Sequence, residues 1–176
     1  MRIALCNEVL GAMALADQCE LAAALGYDGL EIAPFTLSSA PHRIDAIEAK
    51  RIRGVVESTG LAVTGLHWLL VRPPGLSLTD PDANVRARTL EVVTRLIGLC
   101  AELGGSVLVH GSPKQRAIAP GETHATARSR LIEFLADAAL GADRADRADE
   151  VLVHPHPAGH AVHDESESSC RHECDS

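Results

Sequence analysis

The chain is 176 residues long and 46% hydrophobic, a size and composition suited to one domain with a substantial buried core. A net charge of −8, with the cations scattered, argues against a broad binding face for nucleic acid or an anionic membrane, because phosphates are held by clustered Lys and Arg. No apolar run reaches the roughly 18 uncharged residues of a spanning helix, and MRIALCNEVLG lacks the apolar stretch and cleavage site of a signal peptide, so a cytoplasmic protein is expected.

In chain order, RIALC (residues 2–6) reads as a short buried strand. Met13 to Leu25 then carries Leu15, Cys19, Ala22 and Leu25 at helical spacing, and Gly26 ends the helix. YDGLEIAP supplies a second strand, followed by a helix from Ile44 to Ser58 with Ile44, Ile47, Ile52, Val55 and Val56 directed inward and Gly60 as its stop. LAVTGLHWLL is the third strand, and a Pro-, Gly- and Asp-rich loop leads to a helix from about Asn84 to Leu103. Val107–Val109 is the fourth strand, and the next helix runs from about Thr123 to Ala139. Cys6, Cys19 and Cys100 stand alone in apolar segments, as reduced buried thiols do.

Repeated strand–helix units with apolar strands imply a parallel sheet covered by helices. Two architectures satisfy this, a (β/α)₈ barrel and an open doubly wound sheet, and both place functional groups at the carboxyl ends of strands. Here those ends carry Asn7 and Glu8, then Glu31, then His67 and Trp68, then His110. The open sheet predicts a glycine-rich phosphate turn after the first strand, and CNEVLGA is not one, which favours the barrel.

The segments LAAALGYDGLEIAP, GLAVTGLHWLL and GGSVLVHGSPKQR, in that order with helices between, resemble the first four units of the xylose isomerase-like TIM barrels, in particular the sugar phosphate isomerase/epimerase family. The resemblance covers about Met1 to Ala139. It implies an α/β fold, a partial (β/α)₈ TIM barrel of four to five βα units, and a divalent metal (Mn, Mg, Co or Zn) that polarises a sugar carbonyl while paired glutamates shift a proton between adjacent carbons. The implied ligand is a small sugar or sugar phosphate, with no nucleic acid and no membrane partner. Glu31, His67, Trp68 and His110 are the expected substrate-binding residues. His67 and His110 also align with positions from which apurinic endonucleases of the superfamily contribute zinc ligands. Each has a plainer reading as a pocket-lining imidazole without a metal. Glu31 is equally readable as a barrel-interior carboxylate satisfied by a neighbour, and Trp68 as core packing. Lys114 and Arg116 suit a substrate phosphate, and suit an exposed charged loop better.

Relatives of this kind draw their principal metal ligands, two Glu, an Asp and a His, from strands five to eight, and a complete barrel needs roughly 250 residues. The composition changes near Leu140, where GADRADRADE opens a His-, Pro-, Ser- and Asp-rich stretch. The expected division is therefore 1–139 as the first part of a barrel and 140–176 as a disordered tail, with a shift of reading frame within residues 137–145 as one origin. An open arc of strands invites self-association through its edges. The tail gathers His154, His156, His160, His163, Cys170, His172 and Cys174, a composition that binds metals but matches no established zinc module. The functional ranking places a weakly active or inactive isomerase or epimerase first. A non-catalytic fragment or metal-binding interaction protein comes second, and an apurinic endonuclease-like zinc hydrolase third.

Overall fold

A computed structural model describes residues 1–144 and 150–152. Five strands, Ala4–Cys6 (β1), Gly29–Ile32 (β2), Ala62–His67 (β3), Val107–Val109 (β4) and Glu150–Leu152 (β5), form one sheet in the order β1-β2-β3-β4-β5. Every neighbouring pair is parallel. This order separates the two candidate architectures. A doubly wound sheet reverses its strand order at a switch point and places helices on both faces, whereas here each strand is added on the same side of the one before it. The helices follow suit: α1 (Leu15–Ala24) packs on α3 (Ala46–Glu57), α3 on α4 (Ala83–Glu102), and α4 on α5 (His124–Arg144). One layer of helices on one face of a sequentially ordered parallel sheet is an arc of a (β/α)₈ barrel.

Strand alternation explains where the core lies. Leu30 and Ile32 of β2, Val63 and Leu66 of β3, and Leu108 of β4 are buried and form a cluster with Cys19, Ala22, Ile52, Val56, Leu96 and Phe134 from the helices. Alternate residues, Glu31 and Val109 among them, therefore point to the opposite face, which in a closed barrel is the interior. Asp45 and Asp82 start α3 and α4 by accepting hydrogen bonds from the backbone N–H groups of Glu48 (2.9 Å) and Asn84 (2.8 Å).

A single irregularity sets the phase of β3. Leu30 pairs with Val63, but Glu31 pairs with Gly65, so one extra residue is accommodated in β3 at Thr64. Val63 and Leu66 both enter the core although they are three positions apart, which an unbroken period of two forbids. The bulge flips the remainder of the strand, and His67 is presented on the face away from the helices. Gly65 is required for close approach at this point, since a Cβ there would stand 2.1 Å from the carbonyl oxygen of Val107 in β4.

Some sequence expectations are corrected. Ile47 is 82% exposed, because it lies on the side of α3 opposite the buried stripe Ala49, Ile52 and Val56. Leu25, past the end of α1, is 64% exposed. A short helix, α2 (Pro34–Leu37), and a 3₁₀ turn at Pro41–Arg43 separate β2 from α3. Helix α5 continues beyond Ala139 to Arg144, carried by good helix formers such as Ala138, Ala139 and Leu140. The expected disordered tail and its histidine and cysteine cluster lie outside the described residues, apart from the last turn of α5 and β5. No helix of the described residues is long and apolar enough to cross a membrane.

The crowding at the bulge is testable. Gly65→Ala is expected to destabilise the fold by about 2 kcal/mol or more, because the clash is with backbone. It is measured as a lower urea midpoint at unchanged m-value, with Gly54→Ala, where the added methyl meets nothing, as the control.

Candidate active site

The carboxyl ends of β1, β2 and β3 bring four titratable side chains together. Cys6, the last residue of β1, is directly in register with Glu31 of β2, and its thiol donates to Glu31 Oε2 at 3.0 Å. His67, turned inward by the bulge, places Nδ1 3.5 Å from the same Glu31 oxygen. Its Nε2 lies 2.8 Å from Oε2 of Glu8, which stands on the 3₁₀ turn Asn7–Leu10 that follows β1. The imidazole is thus held between two carboxylates, one on each nitrogen.

Asn7 positions the turn that carries Glu8. It is 1% exposed, accepts a hydrogen bond from the Ala33 N–H at 2.8 Å, and donates to Gln18 Oε1 at 3.2 Å and Thr36 Oγ1 at 2.8 Å. One side chain therefore ties the end of β1 to α1 and to the start of α2. Every one of its polar atoms is used, as burial demands.

Burial, the hydrogen bond to Glu31 and the negative charges of Glu31 and Glu8 push the Cys6 thiol up to about 12. Cys6 is therefore protonated at neutral pH, and a thiolate nucleophile is not available without a cation to stabilise it. Both nitrogens of His67 and Oε2 of Glu8 are buried without a hydrogen-bond partner among the described residues, because the 2.8 Å contact is not aligned as a hydrogen bond. Sγ of Cys6, a carboxylate oxygen of Glu31 and a ring nitrogen of His67 all lie within 4.8 Å of one another. Three donor atoms that converge in this way, the imidazole among them unpaired, fit a divalent cation.

Trp68 follows His67 and forms the rim. Its backbone is left-handed (φ 54), its indole is 40% exposed, and the ring meets Phe35 edge-on at 5.8 Å. A bulky residue in this region of φ is uncommon and concentrates at functional positions.

His110 is not part of this cluster. It lies two positions after Leu108 and shares that residue's orientation, lining a small apolar pocket with Leu69, Val93, Ile97 and Phe134 on the helix side of the sheet. Burial, and secondarily the charge of Arg116, pull its imidazole down to about 4. Lys114 and Arg116 occupy a 3₁₀ turn after β4, Lys114 exposed and Arg116 half-buried. Sequence reasoning placed Glu8 at a strand end without a role and took Cys6 for a buried structural thiol. The signal available was position: Cys6 closes its strand on the same side as Glu31.

The family model of the xylose isomerase-like TIM barrel matches residues 19–168. The chain belongs to that family. Solved structures with this barrel fold include D-psicose 3-epimerase from Clostridium cellulolyticum H10, at 18% identity and TM-score 0.65, covering 82% of this chain and 50% of that one. Another is 3-keto-D-glucoside 4-epimerase from E. coli, at 18% identity and TM-score 0.65, covering 88% and 56%. A third is a sugar phosphate isomerase/epimerase from Parabacteroides distasonis, at 18% identity and TM-score 0.57, covering 86% and 49%. The chain thus spans about half the length of these xylose isomerase-like structures. No curated protein matches the sequence.

The neutral His110 links stability to pH. As acid is added, the unfolded chain, with an imidazole near 6.5, takes up the proton before the folded one, which holds it only near 4. Its contribution is complete above about pH 6.5, is lost as pH falls from there to about 4, and is level below that, amounting to something on the order of 3 kcal/mol. Urea unfolding at pH 7 and pH 4.5 is expected to show a smaller acid-induced loss for His110→Leu than for the parent protein.

Proposed function

We propose that the protein is a sugar or sugar phosphate isomerase or epimerase, removing a proton from a carbon beside the carbonyl of a ketose or aldose and returning one to the opposite face of that carbon or to its neighbour, with a divalent metal at the barrel mouth. One observation carries the reading: Glu8, Glu31 and His67 converge at the carboxyl ends of parallel barrel strands, on the face turned away from the helices. In a barrel this is where substrates are bound and transformed. The named activities of proteins sharing the fold, D-psicose 3-epimerase and 3-keto-D-glucoside 4-epimerase, support the substrate class.

Among the described residues Glu31 and His67, on β2 and β3 rather than on the later strands from which the resemblance draws the principal ligands, are those that would hold the metal, which, when bound, polarises a carbonyl oxygen and stabilises the enediolate charge that develops as a C–H proton leaves. Glu8 keeps the His67 ring in place from its far nitrogen. The free lone pairs of Glu31 accept a substrate hydroxyl and fix the sugar against the site. Trp68, half-exposed and braced edge-on by Phe35, offers an apolar wall to the C–H face of the ring. Hydrolysis of abasic DNA is disfavoured, because it requires basic loops around the mouth and the chain carries a net charge of −8.

Incubation with D-fructose, D-tagatose or D-allulose, each free and phosphorylated, and Mn, Mg, Co or Zn in deuterated water tests this reading. Deuterium is expected at the carbon that loses its proton, followed by NMR. Absence of exchange with every sugar and metal, in a folded protein, would falsify it. Glu31→Gln is expected to lower kcat/KM by about tenfold or more, as loss of a positioned carboxylate does. Trp68→Ala is expected to raise KM by roughly tenfold with kcat little changed, as loss of uniform binding does.

A further inference from the structure

We propose that Cys6, Glu31 and His67 form a zinc site with three protein ligands, that Glu8 orients His67 within it, and that its fourth position opens on the barrel face. The inference rests on the preceding reading only for the presence of a metal, and would hold if no sugar were turned over.

The donor set selects the ion. One sulfur, one nitrogen and one oxygen are a mixed, partly soft set that suits zinc, while Mg and Mn prefer oxygen donors alone. Spacing agrees. A tetrahedral zinc with bonds of about 2.0–2.3 Å holds its ligand atoms roughly 3 to 4 Å apart. Here Sγ of Cys6 is 3.0 Å from Glu31 Oε2, His67 Nδ1 is 3.5 Å from the same oxygen, and all three donors lie within 4.8 Å.

Orientation agrees as well. A zinc-bound histidine usually has its other nitrogen directed at a carboxylate, which fixes the ring and raises its basicity. His67 turns Nδ1 toward Glu31, and places Nε2 2.8 Å from Glu8 Oε2. Both nitrogens are buried and lack a hydrogen-bond partner among the described residues, a costly state that a metal on Nδ1 and a realigned proton on Nε2 would relieve.

On binding, the S–H bond of Cys6 breaks, the proton passes to solvent, and a Zn–S bond forms without any change of oxidation state. The side chain of Glu31 remains 24% exposed and Cys6 is half-buried, so the open coordination position is reachable from the barrel face. That is the layout of a zinc that engages a ligand, where a purely structural zinc would be closed by a fourth side chain.

The experiment uses the full chain carrying Cys170→Ser and Cys174→Ser, so that no thiol after Leu152 contributes. Cobalt chloride alone, added to metal-free protein, is expected to give a thiolate-to-cobalt charge-transfer band that saturates at one equivalent and is displaced by one equivalent of zinc. Cys6→Ser in this background is expected to abolish the band and to weaken zinc binding, by calorimetry, about tenfold or more. Glu8→Gln is expected to retain the band and to weaken zinc binding about 10- to 100-fold, the usual effect of losing a supporting carboxylate. X-ray absorption of the zinc-loaded protein, which needs no variant at Cys6, is expected to show one sulfur at about 2.3 Å. A cobalt band that survives Cys6→Ser, or a zinc shell without sulfur, overturns the proposal. A zinc shell without sulfur in a protein that still exchanges sugar protons sinks the zinc site and leaves the epimerase reading standing. A confirmed Zn–S bond with no exchange on any sugar does the reverse.

Discussion

The extra residue at Thr64 in β3 governs everything at the mouth of the sheet. A strand offers its side chains to two faces in strict alternation, and the core claims one of those faces. With Val63 and Leu66 both committed to the helical layer, the chain must spend one residue out of phase, and Thr64 is that residue, its hydroxyl donating to the Leu30 carbonyl at 3.1 Å. His67 is thereby turned away from the core and toward Glu31. Gly65 makes the detour possible, because the neighbouring strand passes too close for any side chain. Bulges beside functional groups have this use, re-aiming one side chain without moving the sheet.

Much of the architecture was legible because hydrophobic periodicity and glycine stops report on local structure. β4 was delimited to the residue at Val107–Val109, and α3 and α4 to within two residues at each end. The choice between a barrel and an open sheet was suggested by a missing phosphate turn and decided by strand order, which no local pattern encodes. Ile47 was misassigned because apolar character was taken for burial in a helix whose inward stripe already held Ala49, Ile52 and Val56. The helix past Leu140 was lost to the change in composition, although alanine-rich sequence extends a helix whatever its company.

The site was half legible for a physical reason. Strand ends mark where function collects, which drew attention to Glu31, His67 and Trp68, and the structure brings Glu31 and His67 together with Trp68 beside them. Strand ends do not say which face a residue occupies. His110 shares its phase with Leu108, and so enters an apolar pocket as a neutral imidazole, while Cys6 shares its face with Glu31 and joins the polar cluster. Counting alternation outward from the buried leucines would have separated the two. The phase of His67 was beyond such counting, since only the sheet pairing reveals the bulge. Residues 19–168 match the xylose isomerase-like barrel family, and membership of a family does not settle parity within any one strand, on which these assignments depend.

Trp68 shows what such a rim costs. Leu66 before it, and Leu69 and Leu70 after it, are buried at 4% exposure or less, and the Leu70 N–H is held by the Ser112 hydroxyl at 3.2 Å. Between these anchors Trp68 holds a backbone geometry, φ 54, that suits glycine and penalises an aromatic by about 1–3 kcal/mol. A glycine here would relax the backbone and remove the exposed ring at once, so local stability and an aromatic rim pull in opposite directions at this one residue.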